Sequence, residues 1–132
     1  MKMSENLQAG QAFLAEKAKE DGVVALPSGL MYKIVREGDG ATPGPTDSVT
    51  VNYHGTLIDG TVFDSSYDRG QTATFPVNRV IAGWVEALQL MKVGSEWELY
   101  IPSDLAYGKA GAGGAIGSDC TLVFKVELLK IG

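Results

Sequence analysis

Residues that commonly carry covalent chemistry are scarce in this chain. His54 is its only histidine and Cys120 its only cysteine. A Ser–His–Asp or Cys–His site would have to be built on His54. That residue lies in an alternating stretch, on the face opposite Tyr53, where a solvated or edge-on histidine is expected. Zinc centres need three or four His, Cys, Asp or Glu ligands. One His and one Cys leave only carboxylates to complete the set, so no metal site is expected. Cys120 has no CxxC partner and cannot form an internal disulfide. It reads as a small residue in a strand.

The run Gly108-Lys109-Ala110-Gly111-Ala112-Gly113-Gly114 has the glycine content of a phosphate loop. It lacks the chemistry, because that loop needs Ser or Thr after Gly-Lys and then a helix. Here Ala110 follows and a strand comes next. Ile116 also stands where GxGxxG requires its third glycine. No pair of acids is singled out for glycoside hydrolysis. An enzyme without these groups has to act through binding and environment, and no cofactor is implied.

Aromatic and apolar groups, by contrast, gather near a few polar ones. One segment runs Tyr53, Gly55, Phe63, Asp64, Ser65 and Ser66. Another is Val80-Ile81-Ala82-Gly83-Trp84, and Tyr107 and Phe124 follow. Taken singly, each ring fits core packing.

The elements that must position these residues are short. Residues 5–20 read as a helix with Leu7, Leu14, Ala15 and Ala18 on a thin stripe, Ser4 as N-cap and Gly22 as the stop. Gly10 weakens it. Pro27-Ser28-Gly29 then breaks the chain. Leu30–Val35 alternates as a strand, and residues 37–47 form a Gly/Pro loop. Ser48–Leu57 is strand-like, with Val49, Val51, Tyr53 and Gly55 on one face. Asp59-Gly60 signals a hairpin, and the return strand starts at Thr61-Val62-Phe63. Asp64–Thr72 reads as loop and Ala73–Val77 as a strand. Val80–Met91 has helical spacing and ends by Gly94. Glu96–Ile101 is a strand, Pro102–Gly117 a glycine-heavy loop, and Thr121–Leu129 a closing strand. Short strands with one internal helix predict an α+β domain whose antiparallel sheet wraps that helix.

Length and composition agree. The 132 residues suffice for one domain, with 45% apolar and 20% charged residues. A net charge of -5 and scattered basic residues exclude a nucleic-acid surface. No apolar stretch reaches the ~20 residues of a membrane span. The first six residues lack the apolar core of a signal peptide. That reading places the chain in the cytoplasm, or in the periplasm if an export signal has been removed.

The strings VNYHGTLIDGTVFDSS, RVIAGWVEALQLMKVGSEWELYIPSDLAYG and TLVFKVELL closely resemble the FKBP domain. The resemblance spans residues 28–132 and leaves 1–27 as an N-terminal helix and linker. TLIDGTVFDSS and VIAGWVEALQLMKVGS are similar to the bacterial branch that includes macrophage-infectivity-potentiator-type isomerases, whose FKBP domain follows a long helix. The resemblance implies a half-wrapped antiparallel sheet around one short helix and peptidyl-prolyl cis–trans isomerase activity assisting protein folding. It implies proline-containing polypeptides as partners and macrolide immunosuppressants as ligands. Helix 5–20 can dock on its own domain or pair with another copy, so a monomer or weak dimer is expected.

The implied catalytic residues are Tyr53, Phe63, Asp64, Trp84, Tyr107 and Phe124. Val80, Ile81, Arg69 and Ile116 are the implied substrate- and macrolide-binding set. Trp84 would floor the pocket, the Ile81 N–H and Tyr107 hydroxyl would donate to ligand carbonyls, and Arg69 would pair near Asp64. Asp64 would contribute by polarity and position, not as a general acid. Tyr53→Ala and Phe124→Ala are expected to cost rate more than fold.

The chain departs from the family pattern at several positions. Ala73 replaces an aromatic wall, Arg79 an acidic or polar residue, and Ala112 and Ala115 bulkier groups. Gly117-Ser118 replaces Pro-Pro. A more open and mobile rim is expected. The alternative function is an FKBP-fold binding or chaperone module with little turnover.

Overall fold

The computed structural model describes residues 5–112 and 116–132. In chain order the elements are α1 (Glu5–Lys17), β1 (Val23–Ala25), β2 (Met31–Arg36), β3 (Ser48–Leu57), β4 (Val62–Ser65), α2 (Ser66–Arg69), β5 (Ala73–Pro76), α3 (Ala82–Leu88), β6 (Glu96–Ile101) and β7 (Leu122–Ile131). Single 3-10 turns occupy Val77–Arg79 and Ser103–Leu105.

The strands form one sheet in the order β1-β2-β6-β7-β3-β4, with every pairing antiparallel. β5 pairs with the first half of β3, and β4 with its second half. Irregularities in register at Thr50/Val51 and Gly55/Thr56 bend β3. The sheet therefore curls around α3, as the α+β reading anticipated.

The core lies between α3 and the concave face of the sheet. Trp84, Ala87 and Leu88 of α3 meet Val51, Tyr53, Leu99, Ile101, Phe124 and Val126, all buried. These strand residues sit two apart along their strands, the period of one sheet face.

α1 packs on the opposite face. Tyr100, which alternates with Leu99 and Ile101, meets Phe13 edge-on at 6.2 Å, and the Lys17 ammonium lies 5.1 Å from its ring. The Asn6 amide donates to the Ser118 carbonyl at 2.9 Å. A side chain at Gly10 would collide with Thr121 Oγ1, so glycine here permits close docking and is the one buried residue of the helix.

Several elements differ from the sequence expectation. α1 stops at Lys17, and its docked stripe runs through Gly10, Phe13 and Lys17, while Ala15 and Ala18 face solvent. The Ser4 cap lies outside the described residues. β1 occupies the span read as linker, where β2 supplies partners for three residues. α3 begins only at Ala82, because Val80 and Ile81 are extended (ψ 176° and 152°). Past its end, Met91 still donates to the Ala87 carbonyl and remains buried, so the apolar spacing outlasts the helix. The presumed loop after Phe63 continues as strand through Ser65 and turns into α2. Ser65 caps that turn by accepting from the Asp68 N–H, and Gly70 closes it at φ 68°. Cys120 is half-buried just ahead of β7 instead of within a strand. Among the described residues no helix is long and apolar enough to cross a membrane.

Candidate active site

At the mouth of the curled sheet, over the N-terminal end of α3, lies a cavity of about 660 Å³. Each contributing element follows from its local sequence. β3 alternates, which sends Tyr53 and Gly55 to the concave face. Gly55 is required there by packing: a Cβ would stand 2.7 Å from both Phe124 Cε1 and Phe63 Cζ. Those rings meet edge to face at 5.4 Å directly over it.

Trp84 is the hub of the aromatic lining. Tyr53, Phe75 and Phe124 each present to it at 5.3, 5.7 and 5.2 Å, at interplanar angles of 81° to 87°. Such T-shaped pairs suit the ring quadrupoles and hold the walls rigidly. Val80 and Ile81, kept extended ahead of α3, add an aliphatic wall. Among the described residues the Ile81 N–H meets no acceptor. Tyr107 stands at the rim with 39% of its surface exposed.

Polar groups on one side form a closed network. The Tyr53 hydroxyl donates to Asp64 Oδ2 at 2.5 Å, Arg69 Nη1 donates to Asp64 Oδ1, and Arg69 Nη2 donates to the Tyr53 oxygen at 3.0 Å. Partial burial opposes ionisation of Asp64, but the hydrogen bonds from Tyr53 and Arg69 outweigh it and hold the carboxyl below its ordinary value. Burial pushes the Tyr53 phenol up, reinforced by its bond to the carboxylate. The hydrogen bonds to Tyr53 and Asp64 raise Arg69. Both Asp64 oxygens are thus occupied by donors, which leaves a poor proton donor or acceptor for chemistry.

All the implied site residues except Arg69 line the cavity: Tyr53, Phe63, Asp64, Val80, Ile81, Trp84, Tyr107, Ile116 and Phe124. Arg69 braces Tyr53 and Asp64 from outside, with its guanidinium 5.6 Å from the Tyr53 ring. Three further residues, Phe75, Arg79 and Ala112, complete the lining. Phe75 adds a ring to the wall beside Ala73. β5 places it on the same face as Ala73, two residues earlier, and it supplies the ring that Ala73 lacks.

Backbone hydrogen bonds tie the described parts of the rim together. Ala112 and Ile116 exchange two backbone hydrogen bonds at 2.9 and 3.2 Å, and the Asp119 N–H bonds the Gly108 carbonyl. Ala115 lies outside the described residues. Tyr53 and Phe124 are only 5% and 4% exposed and belong to the core. Truncating either to Ala should therefore cost stability as well as rate.

His54 is not part of this lining and pairs through Nδ1 with Ser65 Oγ at 2.9 Å. Among the described residues no group of three His, Cys, Asp or Glu side chains is placed to hold a metal.

A sheet wrapped on one helix, with an aromatic pocket over that helix's N-terminal end, defines the class. The chain belongs to the FKBP-type peptidyl-prolyl cis–trans isomerase family, whose domain model matches residues 40–129. Residues 1–34 match the domain amino-terminal to FKBP-type peptidyl-prolyl isomerases. The chain is 55% identical over 130 residues to "Outer membrane protein MIP" of Legionella longbeachae, covering 98% of this chain and 56% of that protein. It is 58% identical over 122 residues to the FKBP-type 22 kDa peptidyl-prolyl cis–trans isomerase of Escherichia coli K12, covering 92% of this chain and 59% of the relative. These curated relatives are therefore longer, and the chain spans somewhat over half of each. Among solved structures, FkpA from Escherichia coli superposes with a TM-score of 0.93 at 47% identity, covering 96% of this chain and 59% of that one.

Proposed function

We propose that the chain catalyses rotation about X-Pro bonds in polypeptide clients, with the prolyl ring seated against Trp84. The observation that carries this reading is the pairing of an aromatic pocket with donors at its edge, while the one carboxylate of its described lining, Asp64, is tied up by Tyr53 and Arg69. An amide resists twisting by ~18–20 kcal/mol because of its C–N double-bond character. Uncatalysed X-Pro exchange consequently takes tens to hundreds of seconds. The planar amide is more charge-separated than the twisted one, so water favours the planar form. Tyr53, Phe63, Phe75, Trp84 and Phe124 replace that water with apolar surface, which weakens the preference.

The Ile81 N–H and the Tyr107 hydroxyl would then hold client carbonyls in the twisted geometry. Only interactions stronger in the twisted state lower the barrier. A 10⁵-fold acceleration corresponds to ~7 kcal/mol. Asp64 and Arg69 set the position of the Tyr53 ring and the polarity of one wall, and no proton moves. Macrolide immunosuppressants are proposed as competing occupants of the same pocket.

A protease-coupled assay on a short X-Pro peptide at micromolar protein tests this. Acceleration above the thermal rate, abolished by a bulky pocket ligand, is expected. Tight peptide binding with no acceleration would instead assign the chain to a binding or chaperone role.

A further inference from the structure

Two charged side chains line the cavity, and their circumstances differ. Asp64 is neutralised by Arg69 and tied to Tyr53. Arg79 is the one cation in the described lining, and among the described residues it makes no hydrogen bond, ion pair or ring contact. The mouth of the pocket thus presents an uncompensated positive charge, although the chain as a whole carries -5.

Position gives that charge a use. Arg79 ends the 3-10 turn Val77–Arg79, and Val80 and Ile81 leave it in extended conformation. Two residues of extended backbone span about 7 Å. A client segment anchored through a carbonyl at the Ile81 N–H runs past at a similar ~3.3–3.6 Å per residue. Side chains one or two residues from the proline therefore pass within reach of the guanidinium. A planar guanidinium with its fork of donors matches a carboxylate better than it matches any other side chain.

We propose that Arg79 is a specificity residue of this site, favouring client segments that carry Asp or Glu within two residues of the proline. The inference rests on the isomerase reading and names the substrate class within it. Because Arg79 is exposed, the preference is modest: about two- to fivefold in kcat/KM for Glu over Gln, the range measured for exposed ion pairs. It is larger for Glu over Lys, where attraction is replaced by repulsion. It also fades in 1 M salt, where the screening length shrinks to ~3 Å.

The test uses one X-Pro peptide core with Glu, Gln or Lys placed in turn at each of the two positions on either side of the proline. Exchange NMR gives kcat/KM, and tryptophan fluorescence gives Kd. At the best position the wild-type Glu-to-Lys ratio should be about fivefold or more. It should fall to near one in R79Q, keep its direction in R79K and invert in R79E, with thermal unfolding confirming that each variant is folded. A ratio unchanged in R79Q, or below twofold at every wild-type position, overturns the inference. Should no peptide be isomerised, the catalytic reading fails. The Kd ratios of the same peptides then decide the inference separately: an Arg79-dependent ratio supports it and an Arg79-independent one overturns it.

Discussion

Replacing Tyr53 with Phe deletes one oxygen and keeps the ring. The ring is 5% exposed and packed on Trp84, Phe75 and Phe124, so the pocket wall should survive. Two charge-assisted hydrogen bonds are lost, one donated to Asp64 at 2.5 Å and one received from Arg69 at 3.0 Å. Bonds to charged groups contribute ~1.5–3 kcal/mol each when buried. The Asp64 and Arg69 side chains are 41% and 47% exposed, so water re-solvates both. The net cost should be about 1–2 kcal/mol. With a urea m value of ~1.5 kcal/mol/M, the unfolding midpoint drops by about 1 M. Because Asp64 keeps Arg69 and the apolar walls stay, kcat/KM should fall by less than about tenfold, read as lost positioning. The two assays are urea denaturation followed by tryptophan fluorescence and exchange NMR on an X-Pro peptide. A fall of a hundredfold or more at unchanged stability would instead place the Tyr53 hydroxyl on the reacting amide.

Gly55→Ala should damage both stability and rate, because its Cβ would displace the Phe63 and Phe124 rings. Overpacking of this kind costs ~1–3 kcal/mol, and calorimetry together with the peptide assay reads both effects. Tyr107→Phe should leave the thermal midpoint in place, since the side chain stands exposed at the rim. Its kcat/KM should fall by about 5- to 30-fold, the equivalent of one hydrogen bond of ~1–2 kcal/mol. Asp64 is held below its ordinary carboxyl value. Its stabilising pairing is therefore present above the unfolded value of ~4 and is lost as pH falls through the lower folded value. Asp64 should accordingly add no pH dependence to kcat/KM or to stability from pH 5 to 8, and a rate that follows the titration of this carboxyl in that window would contradict the assignment.

Much of this arrangement was legible because period-2 alternation survives wherever one face of a strand is buried. Ser48–Leu57 alternates in sequence from end to end, and Glu96–Ile101 does so up to Tyr100, which is buried on the other face under α1; both have the anticipated bounds. The N-terminal start of α3 was not legible, because Val80 and Ile81 have helical spacing to Trp84 but are held extended as a pocket wall. Phe75 was missed because its role depends on β5 pairing with β3, a contact between segments distant in sequence. β1 was missed because three residues carry no periodicity and gain their structure from β2. The cap Ser65 and the stop Gly70 were both present as signals for α2, within a stretch whose polarity suggested a loop. Gly10 reads as a helix defect in isolation and becomes a docking feature only once Thr121 lies against it.

In the proposed mechanism an apolar pocket with fixed donors rotates the X-Pro bond without moving a proton. The ratio of kcat/KM in H2O to that in D2O, measured by exchange NMR on one X-Pro peptide at matched pH and pD, tests it most directly. Clear acceleration in both solvents with a ratio near one is predicted. A ratio of about two or more would mean that a proton is in flight at the barrier, the signature of general acid–base catalysis, and would contradict the account.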